Sequence, residues 1–192
     1  MRSIPRTVIR PLGQPGDLGW VVMAHGETYA SEFGWDADFE ALVARIVADY
    51  AEGHDPRRER AWIAEVDGRR AGCVFCIAAD QDGTAQLRIL LVDPTARGHS
   101  LGKRLVEECV RFARSAGYRR MVLWTNDPLV AAGRVYRAVG FRLTAEEPHH
   151  SFGVDLVGQT YELDLTINQS RTTEGLRTGK SPADVTGPSP SR

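Results

Sequence analysis

What this chain has little of narrows its class before any motif is read. No apolar run approaches the ~20 residues needed to span a bilayer, and the opening MRSIPRTVIRPLG holds no apolar core of the length a secretory signal requires. A cytoplasmic protein is expected, with no membrane partner. Positive charge is not in surplus either: 24 Lys and Arg stand against 25 Asp and Glu, a net −1 over 192 residues. Counterion release on nucleic acid needs clustered cations, so nucleic acid is not expected as a partner of this chain alone. Cysteine is scarce. Cys73, Cys76 and Cys109 are an odd number and make no even disulfide framework. The CVFC pair lies inside an apolar, strand-like run, where residues three apart face opposite ways. It therefore reads as small buried hydrophobes, and no metal is expected. A GxGxxG after a strand is absent, which excludes the dinucleotide-binding reading. The run GHSLGK is one residue short of a P-loop, and Arg104 stands where Ser or Thr would hold Mg²⁺.

What is present is a globular composition, 42% hydrophobic and 26% charged, enough for one domain with a real core. RTVIRPL reads as a strand. A helix opens at Pro15 and Asp17 and carries Leu18, Val21, Val22, His25 and Tyr29 along one side. DADFEALVARIVADYAEG is a second, clearer helix stopped by Gly53. Two strands flank Asp67-Gly68, a strong hairpin signal, and a third covers 86–92. A helix over 101–116, the strand YRRMVLW, a helix up to Gly140, and the strands FRLTAEE and TYELDL complete the order, the last two joined by PHHSFGVDLVGQ read as a loop. His149 and His150 are then a solvated pair, too close in sequence to share a metal easily from a strand. Strand, two helices, three strands, helix, strand, helix, two strands describe one α/β domain over 1–166. Residues 167–192 turn to Ser, Thr, Gly, Pro and charge, the composition of a disordered tail.

The informative stretch is LRILLVDPTARGHSLGKRLVEE, residues 87–108. An apolar strand ends in a tight turn that starts a helix. The first amides of a helix have no partners inside it, so such a turn makes an anion site.

VDPTARGHSLGKRL resembles the acetyl-CoA-binding motif of the GNAT superfamily of N-acetyltransferases. YRAVGF, 136–141, resembles the Tyr-x-x-x-Gly-Phe stretch after that family's second cofactor-side helix. The likeness runs over about 6–165. GDLGWVVMAHGETYASEFGWD and EEPHHSFGVDLVGQTYELDL further resemble the acetyltransferase half of bacterial MarR–GNAT fusion proteins. The resemblance implies a mixed, mostly antiparallel sheet of about seven strands, helices on both faces, and a splay between the fourth and fifth strands. It implies acetyl-CoA held by Leu91, Val92, Arg97, Gly98, His99, Ser100, Leu101, Gly102 and Lys103, with Ser100 standing where the family usually has glycine. A strand-end amide near Leu91 and Val92 would serve the oxyanion, and Tyr136 would protonate the departing thiolate.

The base is less legible. The position six residues before Val92, a Glu in some members, is Gln86, and the acid that others place twelve residues before the Tyr is Trp124. A Gln86-bound water, His149, His150, Glu32 or no protein base at all remain open. The Asn that many members carry seven residues before the Tyr is Leu129, so Asn126 is expected to substitute. Arg88 is expected to share the acceptor cleft with Gln86 and Leu90 by strand alternation. It would meet either Glu27 or Glu32, or a substrate carboxylate. The expected function is acetyl transfer to the primary amine of a small, possibly amino-acid-like acceptor. An acetyl-CoA sensor of little activity and a protein N-acetyltransferase are the alternatives, and a homodimer is a further expectation.

Overall fold

The computed structural model describes residues 5–98 and 100–166. His99 and the expected tail lie outside the described residues. The elements follow the expected order: β1 (Thr7–Pro11), α1 (Asp17–Phe33), α2 (Ala37–Gly53), β2 (Arg60–Val66), β3 (Arg69–Ala78), β4 (Thr84–Val92), a 3₁₀ turn at Pro94–Ala96, α3 (Leu101–Ser115), β5 (Arg120–Asn126), α4 (Val130–Val139), β6 (Arg142–Ser151) and β7 (Val154–Asp164). One sheet runs β1-β2-β3-β4-β5-β7-β6. Every neighbour pair is antiparallel except β4 and β5.

The sheet separates two apolar clusters. Leu105, Cys109 and Phe112 of α3 and Tyr136 of α4 pack on one face with Cys76 and Leu87. Val21, Tyr29, Val43 and Val47 of α1 and α2 pack on the other with Cys73 and Leu91. Cys73 and Cys76 thus point to opposite faces, and all three cysteines are free and buried. Among the described residues, no helix is long and apolar enough to cross a membrane.

Local chemistry sets the boundaries. The Asp36 carboxylate accepts from Asp38 N at 3.0 Å and caps α2. Asp67 and Gly68 both take positive φ, 50° and 78°, as a two-residue hairpin turn demands.

Two expectations are corrected. The stretch read as a loop between the last strands is part of one long hairpin, turning only at Phe152-Gly153, with Pro148 opposite Val157. Pro148 is tolerated because β6 is the sheet edge. His149 and His150 are therefore strand residues. In β4 the alternation does not persist. Arg88 pairs with Phe75 and Leu91 with Cys73, so Ile89 and Leu90 share the single partner position of Val74. This bulge puts Ile89 at φ 42° and turns Leu90 toward the α3 side, away from Arg88.

Asp17 fastens α1 to the sheet. Fully buried, it accepts from Arg10 Nη1 at 2.8 Å, Arg70 Nε at 2.7 Å and the amides of Gly13 and Gln14 at 3.0 and 2.8 Å. Burial alone would raise its pKa, but the Arg10 guanidinium and the other donors outweigh it and hold the carboxyl well below the usual range. A group depressed in this way stabilises above its unfolded pKa near 4 and loses that contribution as pH falls below it. Asp17→Asn should cost about 3–5 kcal/mol at pH 7 by leaving two arginines facing a neutral amide. Its urea midpoint should also fall less than the wild type's between pH 5 and pH 3.

Candidate active site

The parallel pairing of β4 and β5 lasts for three residue pairs, ending at Gln86–Val122. Beyond them the strands part and two hollows open. A groove of about 500 Å³ runs between α1, the end of β4, and the starts of α3 and α4. A smaller cavity of about 120 Å³ lies between the sheet and the α1–α2 pair. Tyr29, Leu90 and Leu129 line both and mark their junction.

The groove is built around the start of α3. Asp93 N–H bonds Ala71 O on β3 at 2.9 Å, and strand alternation then turns the Val92 amide toward the parted side. Gly98, at φ 89°, has open space where a Cβ would stand. Ser100 is in the left-handed region at φ 54°, and its hydroxyl does not cap the helix. This backbone is what glycine adopts without strain, which accounts for the glycine usual at this place in the motif. Leu91, Val92, Arg97, Gly98, Ser100, Leu101, Gly102 and Lys103 all line the groove.

The cavity holds the remaining chemistry. Tyr136 is 5% exposed, and its hydroxyl has no hydrogen-bond partner among the described residues. Burial pushes its pKa well above the ordinary phenol value, so it is protonated at neutral pH. Gln86 and Arg88 line the same space. Trp35, Phe39 and Phe152 close it, with Phe152 5.0 Å from Trp35 and 5.1 Å from Phe39 between ring centroids.

Other candidates stand elsewhere. Glu32 lines the groove and not the cavity, and its carboxylate is bound to Arg97 at 2.7 Å. Asn126 lines the cavity and not the groove; its Oδ1 meets His149 Nε2 at 2.8 Å. His149 is further held by Ser151 Oγ at 2.9 Å and packs on Trp124. His150 is exposed and paired with Asp155 at 2.7 Å, outside the cavity lining. Arg88 forms no ion pair with Glu27 or Glu32, since Glu32 is committed to Arg97.

The sequence reading missed His25, Trp35, Phe39 and Phe152 as lining residues. His25 is 1% exposed and donates from Nδ1 to Val21 O at 2.8 Å, leaving Nε2 as a buried acceptor without a partner among the described residues. Its only sequence signal was a histidine on the apolar face of α1, which also describes an ordinary core histidine.

Residues 23–141 match the Acetyltransferase (GNAT) family. An uncharacterized N-acetyltransferase of Schizosaccharomyces pombe is 31% identical over 124 residues, covering 65% of this chain and 75% of its own. N-acetylaspartate synthetase of Mus musculus is 35% identical over 89 residues, covering 46% of this chain but only 30% of its own. The yncA structure from Salmonella typhimurium, solved with its cofactor acetyl-CoA, superposes with a TM-score of 0.69 at 20% identity. That likeness covers 87% of this chain and 98% of the other. The chain belongs to the GNAT family of acetyltransferases.

Burial lowers the His25 pKa to about 4, against the opposing bond to Val21 O. The unfolded chain takes up this proton below about pH 6.5, and the folded protein does not until about pH 4. Stability should therefore fall as pH drops from 6.5 toward 4, by about 3 kcal/mol at most from this group. Denaturant midpoints across that range should lose this slope in His25→Phe.

Proposed function

We propose that the protein transfers acetyl from acetyl-CoA to the primary amine of a small molecule. The observation that carries this reading is the junction at Tyr29, Leu90 and Leu129, where an elongated groove with an uncapped helix start meets a cavity a quarter of its size. The pyrophosphate lies at the amides of 100–103, where the helix start favours an anion. Arg97 and Lys103 add positive charge at the same end. The groove fits the long thioester arm, which supplies a carbonyl carbon open to attack by the amine. The Val92 amide, turned toward the parting of the strands, is the donor available to the developing oxyanion. Tyr136 would give its hydrogen bond to the sulfur and pass it a proton as negative charge builds there, while the nitrogen, cationic after attack, would lose one proton that restores the phenol. His99 is assigned to the phosphate-binding turn on its place in the motif alone.

The acceptor occupies the cavity, whose size favours a small molecule over a folded surface. The likeness to N-acetylaspartate synthetase supports the same choice. No carboxylate lines the cavity among the described residues, so the acceptor reacts as its neutral amine. Thiol release from acetyl-CoA over a panel of primary amines tests the reading. Tight acetyl-CoA binding without turnover on any amine would make the protein a sensor, and turnover on peptides alone a protein acetyltransferase.

Gly102→Val should raise the acetyl-CoA Kd at least tenfold by calorimetry without loss of helix signal. A Cβ there already meets Val92 Cγ2 at 3.4 Å, and the added methyls intrude on the groove. Unchanged affinity would remove the cofactor from this groove. Tyr136→Phe keeps the ring against Phe141 and Tyr161 and deletes the proton. kcat should fall roughly 10²- to 10⁴-fold with the acetyl-CoA Kd little changed. A kcat within a few-fold of wild type would make Tyr136 structural.

A further inference from the structure

We infer that Arg88 binds a carboxylate on the acceptor, which makes the substrate class an amino acid or a close analogue. This inference rests on the small-amine reading above. Arg88 is half-buried on the cavity wall and forms no hydrogen bond, ion pair or ring contact with any described residue. Asp49 on α2 acts on it only through a Coulombic pull, and burial disfavours its charge. The guanidinium nitrogens of Arg88 are not among the buried atoms that lack a partner, so its five donors stay open on the cavity side to water or to a ligand. Asp49 forms no hydrogen bond or ion pair with it, and the acids of α1 that carry ion pairs are held by other arginines. Arg97 holds Glu32, and Arg10 and Arg70 hold Asp17.

The rest of the wall sharpens the choice of ligand. Among the described residues, no Asp or Glu lines the cavity. His25 is neutral there, fixed by its bond to Val21 O, so among the described residues Arg88 is the one formal charge on the wall. A pocket charged in this way repels diamines and other cationic acceptors and attracts an anion. A planar carboxylate matches the guanidinium fork through two parallel hydrogen bonds. The β4 bulge serves the same geometry. It leaves Arg88 on the cavity face while Leu90, two residues on, turns to the other side and lines the junction. An acceptor held by Arg88 has its anion on the cavity wall and its amine free to face the junction with the groove at Leu90. The remaining wall, Trp35, Phe39 and Phe152, suits an apolar side chain.

The test compares amino acids with the amines left by removing their carboxylate, phenylalanine with phenethylamine and leucine with isopentylamine, in acetyl-transfer assays. Wild type should prefer the acid of each pair at least tenfold in kcat/KM. Arg88→Met should raise KM for the acids at least thirtyfold and change the decarboxylated amines less than threefold. Arg88→Lys should recover only part, since it keeps the charge and loses the fork. Against misfolding of these variants, calorimetry on the wild-type protein with coenzyme A should show 3-phenylpropionate binding where 3-phenylpropanol does not. Equal loss on both members of a pair, or no binding of the carboxylic acid, would overturn the inference and return Arg88 to the scaffold. Acetylation confined to carboxylate-free amines would overturn it while leaving the small-amine reading intact. No acetylation of any free amine would overturn that reading and this inference with it.

Discussion

The short parallel contact between β4 and β5 is the constraint on which the site depends. Three residue pairs join the two halves of the sheet, and after Gln86–Val122 nothing does. Each strand must then satisfy or expose its own backbone groups on the facing edges. The bulge at Ile89-Leu90 steepens the local twist of β4, and β5 turns instead to its antiparallel partner β7, with which it pairs along its full length. The V-shaped gap between them becomes both the groove and the route to the cavity. A sheet paired to its end would have buried the Val92 amide in a ladder and left α3 facing no hollow.

Holding the gap open needs supports on both sides. On one side, α3 and α4 press a continuous apolar face onto the sheet. On the other, α1 spans the opening with Tyr29 at the junction and Glu32 at the groove, fixed at its start by Asp17 and toward its end by the Arg97–Glu32 pair. These anchors differ in kind. In the first the Asp17 carboxylate is sealed from water, whereas in the second Arg97 and Glu32 are 47% and 27% exposed, a pair of small net worth that an arriving phosphate can compete for.

Motif and periodicity made the groove legible and left much of the cavity hidden. Turn chemistry is local, so the strand-turn-helix of 87–108 announced itself, as did the Asp67-Gly68 hairpin and the amphipathic α2 and α3. The smaller cavity is assembled from α1, the α1–α2 turn, α2, β4, β5, α4 and the β6–β7 hairpin tip, segments far apart in sequence. Phe152 looked like part of a loop because Pro148, His149 and His150 weaken any strand pattern, and only pairing with β7 makes them a strand. The β4 bulge was equally silent, since nothing in LRILLV marks where alternation fails. Asn126 is expected to substitute for Leu129 from the strand end, and nothing in the sequence shows its bond to His149, which only the pairing of β5, β7 and β6 creates. Glu32 is one of several open candidates for a base, and its pairing with Arg97, 65 residues on, is equally silent in the sequence.

On the proposed reading, the missing base and the unpaired arginine have one explanation. An ammonium group entering a cavity with apolar walls loses hydration and finds no carboxylate to replace it. Both effects lower its pKa. The amine then sheds its proton to solvent on entry, and what remains in the cavity is the nucleophile. A glutamate at position 86 would do the opposite before acting as base, because it would stabilise the ammonium it must deprotonate. Gln86, unable to take a proton, fits a pocket that selects the neutral amine by desolvation and reserves its single charge for holding the acid end of the acceptor.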